Sequence, residues 1–173
     1  GTGLESGNTK SNQERRIIKV NGKTGLRQAE LGKFTSAIWL TPQMDQLFMA
    51  GGSGRRRFVD NLIAGIDRDH ASLVSAYEHS MRSRAKLLRE GERDNKWLGS
   101  IEEEMARYGV AVAARRKDIV ARLNQWAIAD TDSFPSAKIA MVGKIETLLD
   151  NFPALEVEEK FRSDLENSRS IDN

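Results

Sequence analysis

Residues 51–57, Gly-Gly-Ser-Gly-Arg-Arg-Arg, are the groups in this chain best suited to engage a phosphate. Three glycines loosen the backbone ahead of a predicted helix, and the free N–H groups at a helix start attract anions. A P-loop, however, needs Lys and then Ser or Thr after its last glycine, to reach the terminal phosphates and the metal. Arg55 and Arg56 stand there instead. The stretch therefore reads as the opening of a helix with Ser53 as its N-cap, a place where a phosphate or sulfate would still be held. Arg55, Arg56 and Arg57 spread over most of a helical turn, so they do not all face one phosphate backbone. Arg56 and Arg57 are assigned a structural role, as bidentate partners of carboxylates such as Asp60, Asp45 or Glu30.

A second basic set, Arg82, Arg84, Lys86 and Arg89, crowds the end of the next predicted helix, and Arg115, Arg116 and Lys117 lie on the one after it. As a strip, Arg82, Arg84, Lys86, Arg89, Arg115 and Arg116 are the candidates for contact with a nucleic-acid backbone. The competing description is a solvated face, because Glu90, Glu92, Glu102, Glu103 and Glu104 are close in sequence and cations suit a helix C-terminus. His70 and His79 come without an HExxH pattern or a third ligand, and both read as surface residues. Asp130 and Asp132 read as an acidic turn closing a helix. No Ser/His/Asp set can be ordered, and the chain offers no self-contained active site.

These side chains are carried by two kinds of element. Residues 1–5 read as a strand remnant, and 16–20 as a strand running into Asn21-Gly22, a strong hairpin signal. Residues 26–31 suit a short helix, and the apolar run up to Leu40 suits a buried strand. It ends at Thr41-Pro42, since Pro lacks an N–H and turns its predecessor toward extended geometry. Beyond Pro42 the pattern is helical, which places a boundary there, with domains 1–42 and 43–173. A first helix over 54–66 carries Phe58, Leu62 and Ile66 on one face. A second, from His70 to Gly91, carries Leu73, Tyr77, Met81 and Leu88. A third, over 95–128, has the stripe Ile101, Met105, Tyr108, Val112, Ile119, Leu123 and Trp126, and would span about 50 Å. The short polar connector between the last two makes them an antiparallel hairpin. Residues 138–145 alternate loosely and predict a short strand, with Gly143 as its weak point. Pro153 opens a last helix with Leu155, Phe161 and Leu165 facing inward, and the polar tail after Ser168 is expected to fray.

Composition narrows the class. Of 173 residues, 39% are hydrophobic and 30% charged, ordinary for a helix-rich protein with a real core. The net charge of +2 permits nucleic-acid binding without arguing for it. The absence of cysteine excludes disulfides and thiolate metal sites and is compatible with a reducing cytoplasm. No apolar run approaches the ~20 residues of a membrane helix, and no N-terminal signal pattern is present. A chain that begins at Gly1 with structured-looking residues suggests an excised piece of something longer.

The compound pattern WLTPQMDQLF (39–48) and SGRRRFVDNLI (53–63), followed by Tyr77, Met81, Arg82, Arg84, Leu87 and Leu88, resembles the RecF family of bacterial recombinational repair proteins. The matching segment there is the passage from the ATP-binding lobe into a helical arm. Weaker similarity runs from GTGLE at the start to FRSDLENSRSIDN at the end. The resemblance implies an α+β, mostly α fold: a β-rich remnant of an ABC-type ATPase lobe, then a helical arm with a long antiparallel hairpin. It implies ATP and Mg2+ as cofactors of the whole family protein, an ATP-dependent homodimer, and a cytoplasmic location. Binding to single-stranded, gapped or junction DNA is implied too, with RecR and RecO as partners in placing the RecA recombinase. Gln43, just after Pro42, falls where such ATPases carry the Q-loop, whose amide senses magnesium and the terminal phosphate. The Walker A, signature and Walker B motifs are not in this chain, so a fragment inactive as an ATPase by itself is expected. The alternative, from another class, is a stand-alone helical module that docks a protein partner through its apolar stripe.

Overall fold

The computed structural model describes residues 2–4, 16–24, 47, 49, 51–91, 94–128 and 137–172. The chain divides into two units, Gly1–Thr41 and Pro42–Asn173. In the first, β1 (Thr2–Leu4), β2 (Arg16–Val20) and β3 (Lys23–Thr24) form an antiparallel sheet in that order. Thr2 faces Ile18 and Lys19 faces Thr24. Asn21 and Gly22 both take positive φ, 49° and 80°. That pair of left-handed residues gives the two-residue turn whose twist matches the flanking strands. The predicted helix over 26–31 and strand up to Leu40 lie outside the described residues, as do Glu30, Gln43 and Asp45.

The second unit carries α1 (Gly52–Ile66), α2 (His70–Arg89), α3 (Asn95–Ile128), α4 (Lys144–Asn151) and α5 (Ala154–Ser168). Helix α1 opens earlier than expected. Gly54 N–H already bonds the Gly51 carbonyl at 3.0 Å, so Gly51 is the N-cap and Ser53 lies inside the helix. Its inner face is also turned: Ile63 is buried with Val59 beside it, while Ile66 is 52% exposed. The α2–α3 hairpin has the predicted length and sense. Ser80 meets Glu104, Arg84 meets Glu102, and the Tyr77 ring lies against Gly109, so partners fall along α3 as they rise along α2. Gly91, at φ 71°, ends α2 in the left-handed conformation glycine adopts freely. Asp94 then caps α3, its Oδ1 accepting from the N–H groups of Lys96 and Trp97 at 2.9 and 3.3 Å.

Along the hairpin, Leu87, Leu88 and Leu98 form one core cluster, and Ile119 and Val120 join Ile63 in another. Each fully buried aliphatic side chain contributes about 1.5–3 kcal/mol before entropy is subtracted. The expected stripe on α3 is partly corrected: Met105, Val112 and Ile119 are buried, whereas Trp126 is exposed, as is Met81 on α2.

Residues 138–145 are not a strand. The Asn124 side chain bonds both backbone groups of Ile139, donating to its oxygen at 2.8 Å and accepting from its nitrogen at 2.9 Å. With a side-chain amide as its partner, Ile139 needs no ladder, and α4 starts at Lys144 with Gly143 as N-cap. Helix α5 follows Pro153 as expected, but Leu155 is 80% exposed and Val157 is wholly buried in its place. The tail is held rather than frayed, since Ile171 and Asp172 bond back to the Ser168 carbonyl at 2.9 and 3.0 Å. No described helix is long and apolar enough to cross a membrane.

Candidate nucleic-acid interface

The helices cross where opposite charges meet, and two such places absorb much of the predicted basic strip. At the first, Arg84 of α2 is buried. Its Nε donates to Glu102 Oε1 at 3.0 Å, Nη1 to Asp172 Oδ2 at 2.8 Å, and Nη2 to the Leu165 carbonyl at 2.6 Å and Ser168 Oγ at 3.1 Å. Arg169, just past α5, grips the other side of Glu102 through Nε at 2.9 Å and through Nη2. Glu102 is 1% exposed. Burial alone would raise its pKa, but the bonds from Arg169 and Arg84 outweigh it and hold the carboxyl below its ordinary range.

The second crossing joins α1, α2 and α3. Arg116 takes Asp60 in a two-pronged grip, Nε to Oδ1 at 2.8 Å and Nη2 to Oδ2 at 2.7 Å. His70 Nε2 lies 2.9 Å from the same Oδ1, and beside a carboxylate it must be the protonated nitrogen. His70 is completely buried, contrary to the surface position expected, and its Nδ1 has no partner among the described residues. Burial pushes the Asp60 pKa up, while His70 and Arg116 pull it down further, so the net shift is downward. Next to it, Arg115 Nη1 lies 2.9 Å from Asp67 Oδ2, an ion pair without hydrogen-bond alignment.

The candidate strip is therefore dispersed. Arg84 and Arg116 face inward, because every polar atom of the Arg84 guanidinium is bonded inside the fold and Arg116 is closed on Asp60. Arg115 is paired with Asp67. Arg82, Lys86 and Arg89 remain on the surface, the first two beside Glu78 and Glu90. The partners of Asp60 are Arg116 and His70, while Arg56 and Arg57 are exposed. Glu102 and Arg116 could have been found in the sequence. They continue the three-and-four spacing of Leu98, Met105, Val112 and Ile119, so they share the buried face. Nothing in the sequence signals His70, because its meeting with Asp60 depends on how two helices cross.

The helices of this unit leave a groove of about 920 Å³ between them. Arg56, Arg57, Tyr77, Arg116, Lys144 and Glu146 are on its walls. Tyr77 is wedged there: a Cβ on Gly109 would stand 3.0 Å from both its ring and that of Phe161. Burial raises the Tyr77 pKa, more than nearby Arg116 and Arg56 lower it, so the phenol stays a neutral donor. Lys144 pairs with Asp164 at 2.7 Å. Glu146, third residue of α4, folds back over Gly143, the position from which a glutamate complements the start of its own helix.

The same arrangement of helices is found in a solved structure. A solved chain of the recombination mediator protein RecF-ATPrS in the RecFOR pathway superposes with a TM-score of 0.74, covering 92% of this chain and 44% of that one. At 20% identity that is a likeness of fold. Sequence relatives extend it to descent. The DNA replication and repair protein RecF of Mesorhizobium japonicum is 38% identical over 174 residues, 99% of this chain and 45% of its own length. That of Rhizobium johnstonii is 37% identical over the same span, 46% of its length, and that of Rickettsia bellii 43% identical over 133 residues, 76% of this chain and 36% of its own. The chain is a homologue of RecF over nearly its whole length, and it spans less than half the length of these curated relatives. No protein-family model matches it.

Proposed function

We propose that this chain is the portion of a RecF-like DNA replication and repair protein in which the end of the ATP-binding lobe, residues 1–42, passes into a DNA-contacting helical arm, residues 43–173. The observation that carries this reading is the similarity to RecF across 99% of the chain. In the whole protein the arm works beside an ATP-driven homodimer that binds single-stranded or gapped DNA and helps to load a recombinase in the cytoplasm, with RecR and RecO as partners.

ATP and Mg2+ belong to that whole protein, and the described residues do not fit them. Among these residues no three carboxylate or imidazole side chains converge on a metal-sized site, and the last glycine of the loop is followed by Arg55 and Arg56 where phosphate transfer needs a lysine and a hydroxyl. Gln43, the candidate Q-loop residue, lies outside the described residues. The chain alone is expected to show no magnesium-dependent ATP turnover, checked by phosphate release; turnover above a buffer control would sink the fragment assignment.

DNA contact is tested by titrating a labelled single-stranded oligonucleotide at 50 and 200 mM salt. Phosphate-driven binding weakens steeply between them. The rival, a helical module that docks a protein, has the half-exposed Trp97 at the hairpin tip in its favour. It predicts no DNA binding at either salt concentration.

A further inference from the structure

The groove between α1 and α4 is a place in the arm where positive charge is left over. Four cations line it, Arg56, Arg57, Arg116 and Lys144, against three carboxylates, Asp60, Glu78 and Glu146. Most of these cancel in place. Arg116 holds Asp60, Lys144 holds Asp164 and Glu78 holds Arg82, while the Glu146 carboxylate lies over Gly143 at the start of α4 with no ion pair to a described cation. Arg56 and Arg57 are exposed, and no carboxylate among the described residues pairs with either. The groove is also elongated. Ser53 and Ala64 both line it, so it follows α1 for about 17 Å at 1.5 Å per residue. A single phosphate does not need that length, whereas a strand of several nucleotides fills it. Its walls add a neutral phenol donor at Tyr77, held in place by the close approach of Gly109.

From this we infer that the arm receives a nucleic-acid strand along the α1/α4 groove, with Arg56 and Arg57 on neighbouring phosphates and the Arg82–Arg89 surface left to solvent. The inference rests on the DNA-contacting role proposed above and names its surface. Guanidinium forks suit phosphate oxygens in two-pronged contact, and Arg56 and Arg57 need break no ion pair with a described residue to make it.

The test compares the 173-residue chain with Arg56→Ala/Arg57→Ala, Arg56→Lys/Arg57→Lys and, as a control on the hairpin tip, Lys96→Ala. Binding of a fluorescein-labelled single-stranded oligonucleotide is followed by anisotropy across a salt series. Expected is at least a tenfold loss of affinity in the double alanine variant, with the slope of log K against log salt shallower by about 1.4, two single-strand phosphate contacts. The double lysine variant keeps the parental slope, and Lys96→Ala stays within twofold of the parent. Parental affinity and slope in the double alanine variant would overturn the inference while leaving the DNA-binding role intact. So would an Arg82→Ala/Lys86→Ala variant that loses the slope instead. Inorganic phosphate that displaces the oligonucleotide at low millimolar concentration would also overturn it, since that marks a one-phosphate pocket. No salt-dependent binding by the parent overturns the role and the inference together.

Discussion

Glu102 draws two guanidinium groups, and Asp60 a guanidinium and an imidazole, from elsewhere in the fold onto one carboxylate, and that makes the fold acid-sensitive at two named sites. Both carboxyls are held below their ordinary range in the folded protein. In acid the unfolded chain thus binds more protons than the folded one, and stability rises with pH there. The contribution is complete above about pH 5 and is lost as pH falls through the lowered folded values. Glu102→Gln should lower stability by about 3 kcal/mol at pH 7, because Arg84 and Arg169 lose the buried carboxylate they share and Arg84 keeps only the part-exposed Asp172 as its anion. Its urea midpoint should also fall less between pH 5 and pH 3 than the parent's. Equal midpoints at pH 7, or parallel curves, would refute the role given to Glu102. The same residues mark where sequence reasoning stopped short. Arg84 was one of six basic candidates for an external strip, although its spacing from Tyr77 and Leu87 puts it on the inner face of its helix. Charge suggested the outside and periodicity the inside; with Glu102 opposite, periodicity won.

Elements with strong local signals were legible to the residue. Helix α3 begins at Asn95 and ends at Ile128, and the Asn21-Gly22 turn adopts two positive φ values, because caps, apolar spacing and turn chemistry act within a few residues. The segment before α4 was not, since its partner is the Asn124 side chain on another element. Helix α3 also offers a matched pair of tests. At Gly99 an added Cβ meets nothing within 4 Å, so Gly99→Ala should stabilise by up to about 1 kcal/mol through helix propensity alone. At Gly109 the same methyl would stand 3.0 Å from the Tyr77 and Phe161 rings, from opposite neighbours α2 and α5. Overpacking of about 1–3 kcal/mol then exceeds the propensity gain. Thermal melts should move in opposite directions, Gly99→Ala up and Gly109→Ala down by a few degrees. A rise in both would mean that α5 yields easily, and that Gly109 does not set its approach to the hairpin.

At the scale of the molecule, the groove and both ion networks belong to Pro42–Asn173, which has its own core along α2 and α3. Helix α5 packs on α3, and its end is fastened through Arg169 and Asp172 to Glu102 and Arg84, some seventy to ninety residues earlier in the chain. Contacts of that separation form only when the whole unit is assembled, so the unit should unfold as one. Residues 42–173 expressed alone should therefore keep a helical circular dichroism spectrum and melt in a single transition. Removing residues 169–173 as well takes away one cation from Glu102 and one anion from Arg84, and should cost about 3–5 kcal/mol, the penalty for opening a buried ion pair. Hydrogen exchange locates the loss: amides of α5 should open before those of α3 in the shortened chain. If 42–173 is unfolded by itself, the arm draws its stability from the strand-bearing unit. If the loss of 169–173 leaves exchange in α5 unchanged, Val157 and Leu165 suffice to hold that helix and the terminal clamp is dispensable.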